Sequence, residues 1–276
     1  MRFTAALKWL AKPSARIVGT SVLAGLVVVF ASPADGDTGG LVAKISSAVN
    51  LSSAPSHEGT PFAGTSAVGA LFSESGGTLG SHFCTASVVH STGGDLLVTA
   101  AHCVSGHTGT IAFVPGYANG KSPYGVWYVS QIFVDQAWTS SGSINDDVAF
   151  LQVKPNSMGT EIEDVTGAEQ LGSSEAGQLT EVIGYPDSTN APVVCANQTK
   201  SFTVPSTGSK QLEFDCGNYP DGTSGGPFLV NVNKTTGQGT VTGVIGGYEQ
   251  GGNYPQVSYS IPFGKQVSAL YKAAAS

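Results

Sequence analysis

The chain has 276 residues, with 19 Asp and Glu against 12 Lys and Arg, which gives a formal net charge of −7. This acidic balance argues against a nucleic-acid partner, which would require a basic face, so no nucleic acid is expected as a partner. Charged residues make up only 11% of the chain, 37 residues are glycine and 41% are hydrophobic. The protein is therefore neither a disordered acidic chain nor a coiled coil, and it can bury a core.

The first 34 residues have the pattern of an export signal. Four cationic residues end at Arg16, an apolar run extends from Ile17 to Ala31, and the small residues Ser32 and Ala34 follow at a cleavage-like site. The apolar run is short for a bilayer span, which needs roughly 20 residues, so a retained signal anchor is the weaker alternative. We predict a signal peptide over residues 1–34, secretion, and no membrane association after cleavage. Without this stretch, 8 basic residues remain against 19 acidic ones, a net charge of −11.

The remainder of the chain has the pattern of an all-β protein. Residues 35–60 are rich in Gly, Ser, Ala and Pro and are predicted to form a linker or short pro-segment. Helical periodicity is confined to Phe263–Ala274, and the polar segment Lys154–Ala176 is the best candidate connector between two halves. Short runs of β-branched and aromatic residues, separated by turn residues, favour a sandwich or barrels. These predicted strands cover Phe83–Val89, Asp95–Thr99, Ile111–Val114, Gly125–Val134, Val148–Val153, Leu179–Tyr185, Gln211–Cys216, Pro227–Val232, Gly239–Gly246 and Gln256–Ile261.

Four cysteines, Cys84, Cys103, Cys195 and Cys216, are expected to form disulfides in an oxidising compartment. Four thiols allow three pairings, and the sequence alone leaves all of them open. Proximity favours Cys84 with Cys103 and Cys195 with Cys216, each closing a loop worth about 3 kcal/mol of stability. A zinc site would need closely spaced Cys and His ligands, and the neighbouring histidines do not provide that spacing, so no metal is expected.

A glycine-flanked serine, Ser224, is the candidate nucleophile. The glycines permit a sharp turn that exposes its hydroxyl, and the N–H groups of Gly222 and Ser224 can converge as an oxyanion hole. Residues Gly222–Gly226 also match the nucleophile elbow of α/β-hydrolases, which places its histidine after the serine. All five histidines precede Ser224, so that fold is excluded if the base is a histidine.

Two further segments carry a candidate base and a candidate carboxylate. The strand-like segment Leu97–Val104 places His102 at its end, beside a cysteine that can pin the backbone. The segment Ile144–Leu151 places Asp146 and Asp147 at the edge of a strongly apolar strand, where a buried carboxylate needs a partner such as an imidazole. Taken singly, the first fits a core histidine and the second an ordinary turn.

In the order His, Asp, Ser, these pieces resemble the chymotrypsin (trypsin-like) family of serine proteases, of the secreted bacterial or fungal type. The matching segments are Thr99–Cys103, Asp147–Leu151 and Gly222–Pro227, and the resemblance covers about residues 60–270. It implies two six-stranded antiparallel β-barrels, to which the periodicity adds a C-terminal helix. We assign residues 61–165 to the N-terminal barrel and residues 166–276 to the C-terminal barrel.

The resemblance also implies the roles of individual residues. In the family, the aspartate directly precedes an aliphatic strand, which selects Asp147 rather than Asp146. The expected catalytic residues are then His102, Asp147 and Ser224, with the N–H groups of Gly222 and Ser224 as the oxyanion hole. Cys84 with Cys103 matches the disulfide beside the catalytic histidine. The implied activity is that of a secreted serine endopeptidase, a monomer without a cofactor, acting on proteins or peptides through an acyl-enzyme.

Three departures from the family bear on activation and specificity. Thr223 replaces the aspartate that binds the new N-terminus in animal digestive members, so we predict no activation by that salt bridge. Asn218 stands where trypsin-like enzymes keep an aspartate at the pocket floor, which leaves a basic residue before the scissile bond without a charge partner. Gly246, Gly247 and Tyr248 replace the Ser-Trp-Gly wall. We expect a neutral or apolar residue in the pocket.

Two other functions compete with the protease. A catalytically silent module of the same fold is suggested by the altered pocket wall. Carbohydrate or cell-wall binding could use aromatic residues in glycine-rich loops, although such residues more often pack locally. These aromatic residues are Tyr117, Tyr124, Tyr248 and Tyr254.

Overall fold

The computed structural model describes residues 57–173 and 175–276. The predicted signal peptide, and all of the predicted linker before residue 57, lie outside the described residues. Within them, no helix has the length and hydropathy needed to cross a bilayer.

The strands are β1 (Thr60–Pro61), β2 (Val68–Ser75), β3 (Thr78–Val88), β4 (Leu96–Thr99), β5 (Thr110–Pro115), β6 (Trp127–Val134), β7 (Ala149–Val153), β8 (Gln170–Leu171), β9 (Leu179–Gly184), β10 (Val193–Gln198), β11 (Lys200–Thr203), β12 (Lys210–Asp215), β13 (Pro227–Val230), β14 (Thr240–Val244) and β15 (Val257–Ser260). The helices are α1 (Ala101–Val104), α2 (Gln136–Ser141), α3 (Ile162–Thr166) and α4 (Lys265–Ala274), and a 3-10 turn covers Tyr248–Gly251.

The first half of the described chain forms a closed barrel. Its six strands pair antiparallel in the ring order β2, β3, β4, β7, β6 and β5. Closure leaves no unpaired strand edge, and the inward side chains form an apolar core. The strand β2 crosses β5 so closely that a Cβ at Gly69 would lie 2.3 Å from the carbonyl oxygen of Val114. A residue larger than glycine would therefore push these two strands apart.

The second half contains two sheets. One has six strands in the order β1, β10, β9, β13, β14 and β8, and the other has three in the order β11, β12 and β15. The predicted all-β class is confirmed, but the strand pairing here differs from a second antiparallel six-stranded ring. β1 joins the larger sheet from the start of the described chain, and β8 pairs parallel to β14.

No continuous ladder of backbone hydrogen bonds joins the two sheets in the described residues. A disulfide and individual hydrogen bonds connect them instead. On one side, the Cys195–Cys216 disulfide links β10 to the end of β12, and Asn197 donates its side-chain amide to the carbonyl of Asp215 at 2.7 Å. On the other side, Gly246 N–H donates to the carbonyl of Tyr259 at 2.9 Å. Both predicted disulfides are confirmed, and the other one, Cys84–Cys103, ties β3 to α1.

The end of the predicted linker is ordered. Gly59 N–H donates to the carbonyl of Gly217 at 2.8 Å, and Gly217 N–H donates to the carbonyl of His57 at 3.0 Å. Thr60–Pro61 then pairs with β10 as β1. Composition alone predicted no structure here, because these contacts are made with residues more than a hundred positions away.

The predicted C-terminal helix is confirmed as α4, and it packs on the first barrel. Val267 is buried, and the rings of Tyr271 and Phe150 lie 5.7 Å apart. Tyr271 donates its hydroxyl to the carbonyl of His90 at 2.7 Å, and Gln152 of β7 donates to the carbonyl of Ala274 at 3.0 Å. The chain therefore returns to its first half after completing the second.

The segment between the halves carries a buried carboxyl group, that of Glu169. Its backbone N–H donates to the carbonyl of Val88, and its carbonyl accepts from His90 N–H, each at 2.9 Å. The side chain is 0% exposed, with Oε2 accepting from Gly239 N–H and Oε1 without a hydrogen-bond partner. The pKa of Glu169 is raised to about 8, mainly by burial of the carboxyl group. The hydrogen bond from Gly239 N–H lowers this pKa, and the negative charge of Glu181 raises it further.

Glu169 is predicted to make the protein less stable as the pH rises. The pKa of Glu169 in the folded protein lies above its ordinary value of 4.5. The contribution of Glu169 to the free energy of unfolding is therefore fully present below pH 4.5 and is lost as the pH rises through 8. Glu169→Gln should remove this pH dependence and raise the free energy of unfolding at about pH 8.5 by on the order of 4 kcal/mol.

Urea unfolding at about pH 4.5 and about pH 8.5 measures this difference. Glu175→Gln, at an exposed position, is the control and should change stability little at either pH. An equal effect of Glu169→Gln at both pH values would show that Glu169 does not cause the pH dependence.

Candidate active site

Asp147 is a fully buried carboxylate just before β7. It is 0% exposed and accepts three hydrogen bonds, each of 2.8 Å: Oδ1 from His102 N–H, and Oδ2 from His102 Nδ1 and from Gly247 N–H. A charge held away from water is stable only when it is paired and hydrogen-bonded in this way. Asp146, by contrast, accepts from Ser143 Oγ at 2.6 Å within its own turn.

His102 lies in α1, and Asp147 determines its orientation. A carboxylate only accepts hydrogen bonds, so Nδ1 carries the ring proton and Nε2 is left as an acceptor. The side chain is 11% exposed, and Nε2 lies 3.8 Å from Cys103 Sγ. Nε2 is therefore the ring nitrogen that can accept a proton.

Ser224 lies in a tight loop of glycines between β12 and β13. Gly222 and Gly225 both have left-handed backbones, with φ of +91° and +79°. Among the described residues, neither Gly222 N–H nor Ser224 N–H donates to a protein acceptor, whereas Gly225 N–H and Gly226 N–H do. Two N–H groups of one loop are therefore left to bind an oxygen of another molecule.

Two cavities meet at Ser224. The first, of about 310 Å³, is lined by residues of the Ser224 loop, by Ile245 and by the segment Gln250–Pro255. The second, of about 350 Å³, extends from Ser224 to His102 and the Cys84–Cys103 disulfide. His102 and Ser224 therefore face one cleft between the first barrel and the second half. In the part of the chain that the structure describes, no hydrogen bond joins them, and such contacts commonly tighten only when substrate binds.

The residues expected to form the substrate pocket do not line these two cavities. Asn218 donates its side-chain amide to the carbonyl of Gly59 at 2.9 Å and lines neither cavity. Gly246 and Gly247 pack against Asp147, where a Cβ on Gly246 would lie 3.0 Å from Oδ2. Tyr248 packs its ring between Phe202 and Tyr259, at centroid distances of 5.0 and 5.1 Å.

The cavities are also lined by residues that the sequence analysis did not single out. Asp221 faces both cavities, as do Gln250, Gly252 and Asn253. Glu249 and Gln250 have positive φ angles of 50° and 56°, which non-glycine residues rarely adopt. The available signal was the cluster of glycines after Tyr248, which permits this reversal of the chain.

The tyrosines considered for carbohydrate binding do not share one surface role. Tyr117 is buried against Phe72 and donates its hydroxyl to Asn190 at 2.9 Å. Tyr248 packs as described above, whereas Tyr124 and Tyr254 are exposed. Tyr254 also lines the first cavity beside Ser224.

One group of potential metal ligands lies at the site. Ligand atoms of Cys84, His102 and Cys103 lie within 4.8 Å of one another. Both sulfurs are consumed by the disulfide and offer no thiolate, so the group does not suit a metal ion.

This chain belongs to the trypsin family, whose model matches residues 57–265. The family match, together with the fold and the glycine-flanked serine loop, identifies the protein as a trypsin-like serine peptidase. Among solved structures, it resembles the protease Anisep from Arthrobacter nicotinovorans, with a TM-score of 0.66 and 23% identity over 79% of this chain and 99% of that one.

Two other solved structures share the fold. The thermostable serine protease AL20 from an extremophilic microorganism matches with a TM-score of 0.64 and 25% identity, over 76% of this chain and 97% of that one. A Glu endopeptidase matches with a TM-score of 0.59 and 14% identity, over 80% and 98%. No curated protein sequence matches the chain.

The packing of the Ser224 loop predicts that Gly225 cannot be replaced. A Cβ there would lie 2.2 Å from both the carbonyl oxygen of Thr85 and the hydroxyl of Thr99. Gly208 is a matched control, because its φ of +70° is similar and a Cβ there would meet nothing within 4 Å. Gly208→Ala should lower the free energy of unfolding by about 1 kcal/mol through backbone strain alone.

Gly225→Ala should cost about 3 kcal/mol more than Gly208→Ala, because a rigid backbone carbonyl has to move. Urea unfolding of the two variants measures the difference. Equal losses would mean that the loop yields without strain and that the close contact is unimportant.

Proposed function

We propose that this protein is a secreted serine endopeptidase that cleaves peptide bonds through an acyl-enzyme formed on Ser224. The observation that carries the proposal is the His102–Asp147 pair, which is hydrogen-bonded at 2.8 Å and faces the same cleft as Ser224. Two disulfides support an oxidising, extracellular environment. The buried Asp147 is difficult to explain in a silent module, because it has no evident stabilising advantage over an apolar residue.

In the proposed reaction, Ser224 Oγ attacks the carbonyl carbon of the scissile bond while His102 Nε2 takes the hydroxyl proton. The carbonyl oxygen becomes negative and is bound by the N–H groups of Gly222 and Ser224. The C–N bond then breaks, and the same proton passes from His102 to the leaving amine. Water attacks the resulting ester with His102 again as base, which releases the acid and restores Ser224.

Asp147 holds His102 throughout this cycle. It keeps the proton on Nδ1 and stabilises the imidazolium that forms when Nε2 is protonated. The third hydrogen bond, from Gly247 N–H, prevents the carboxylate from rotating away from the ring. Thr223 requires no charged partner, because its buried hydroxyl donates to the carbonyl of Pro220 at 2.7 Å, which supports an activation route without the zymogen salt bridge.

Stoichiometric labelling by a fluorophosphonate tests the proposed function. The processed wild type should take up one label per chain, because the reagent phosphonylates an activated serine. Ser224→Ala should abolish labelling, whereas Ser141→Ala, which removes an exposed serine of α2, should label like the wild type.

Mass spectrometry of the intact chain and of its peptides reports both the extent and the position of labelling. A folded, processed wild type that takes up no label would support the silent module instead. Labelling at another serine would refute Ser224 as the nucleophile.

The cleft also carries negative charge that bears on the substrate. Asp221 lines both cavities and Glu249 lines the second, and no Lys or Arg lines either cavity within the described residues. Because Asn218 lies outside the cavities, the pocket preference is better based on these two carboxylates. The negative charges of Asp221 and Glu249 favour substrates with a cationic side chain beside the scissile bond.

We therefore predict that a fluorogenic peptide with lysine before the scissile bond has a higher kcat/KM than its norleucine counterpart. The ratio should be about fivefold at low salt and should fall in about 0.5 M NaCl, because exposed charges are screened. Asp221→Asn should lower the ratio, and Asp164→Asn, at an exposed position in α3, should leave it unchanged. A ratio that is insensitive to both salt and Asp221→Asn would exclude this source of selectivity.

A further inference from the structure

Thr85, the residue after Cys84 in β3, forms an unusual set of contacts with the Ser224 loop. It is 0% exposed, although it is a polar residue. Its N–H donates to the carbonyl of Ser224 at 2.7 Å, and its hydroxyl donates to the carbonyl of Gly222 at 3.0 Å. One residue of the first barrel thus binds the carbonyls of both residues whose N–H groups form the oxyanion hole.

The hydroxyl of Thr85 both donates and accepts a hydrogen bond. Besides donating to Gly222, it accepts from Tyr185 N–H at 2.9 Å. The carbonyl of Thr85 accepts from the hydroxyl of Thr99 at 2.7 Å. Thr99 ends β4, three residues before His102, so this network connects the strand that leads to the base with the loop that carries the nucleophile.

The network restricts the direction of the oxyanion donors. Gly222 is free to adopt many backbone conformations, because glycine lacks a Cβ. The carbonyl lies in the peptide plane that follows Gly222, and the N–H lies in the plane that precedes it, where the Asp221 carbonyl accepts from Asp187 N–H at 2.9 Å. Because both planes are held, rotation about φ and ψ of Gly222 is limited, and the N–H keeps its direction into the cleft. Backbone donors are effective only when they are already oriented before charge develops, since reorientation during the reaction costs free energy.

We propose that the Thr85 hydroxyl is a positioning group that sets the direction of the Gly222 N–H and so maintains the oxyanion hole. The inference rests on the proposed acyl transfer at Ser224. Thr85 does not touch the reacting atoms and acts only through Gly222. Its backbone N–H performs the same task for Ser224, but a side-chain substitution leaves that bond in place.

Three variants separate positioning from stability. Thr85→Val has nearly the same shape and removes the hydroxyl, whereas Thr85→Ser retains it. Thr242→Val is the matched control, because Thr242 is 1% exposed and donates its hydroxyl to the carbonyl of Phe228 at 3.2 Å, away from the cleft. Thr85→Val and Thr242→Val should both lower the melting temperature, since each leaves a buried carbonyl without its donor, and Thr85→Val should lower it more because Tyr185 N–H also loses its acceptor.

Kinetics then distinguish the variants. With the lysine peptide, Thr85→Val should lower kcat about 10- to 100-fold with KM changed less than about threefold, because the lost interaction acts in the transition state. The rate of fluorophosphonate labelling should fall in parallel. Thr85→Ser should restore most of both rates, and Thr242→Val should keep the wild-type rates.

The outcomes separate this inference from the proposed function. Wild type that neither labels nor cleaves would refute the proposed function itself. Wild-type labelling together with unchanged kcat in a folded Thr85→Val would refute the role of Thr85 and leave the proposed function intact. Equal losses of kcat in Thr85→Val and Thr242→Val would assign the effect to general destabilisation and overturn the inference.

Discussion

The buried carboxylate of Asp147 is the interaction on which the site depends. It receives two hydrogen bonds from His102, in the first barrel, and one from Gly247, in the second half. A negative charge without water is costly, so the two halves have to remain together for Asp147 to keep all three donors. Folding and the orientation of the His102 imidazole are therefore consequences of the same contact, and neither half by itself contains both His102 and Ser224.

Much of the site could be predicted because its chemistry restricts residue types locally. The glycines around Ser224 are required by left-handed backbones and close packing, and the glycines themselves are visible in the sequence. The resemblance to the family selected Asp147 over Asp146, because the family places its aspartate directly before an aliphatic strand, and the structure gives the two carboxylates different partners. The ten predicted strands also carry enough β-branched and aromatic residues to be recognised without tertiary information.

What could not be predicted depends on contacts between distant segments. The strand β2 was missed because Gly69 and Ala70 have low β-propensity, and the close approach of β5, which explains Gly69, is visible only in the structure. Thr85 has no local signature, since its partners lie in the loop around Ser224 and at Tyr185. Asn218 was placed by its distance from Ser224 in sequence, but its left-handed backbone and its bond to Gly59 direct the side chain elsewhere.

The Cys84–Cys103 disulfide joins the sequence neighbours of two residues of the cleft region, since Cys84 precedes Thr85 and Cys103 follows His102. A displacement of β3 should therefore be transmitted through the disulfide to α1, which carries His102, and through the hydrogen bonds of Thr85 to the Ser224 loop. Substitutions in this region should consequently show epistasis, because the second change acts on parts that the first has already moved. Evolution of this enzyme would then proceed through compensating pairs of substitutions in β3 and α1 more readily than through independent single steps.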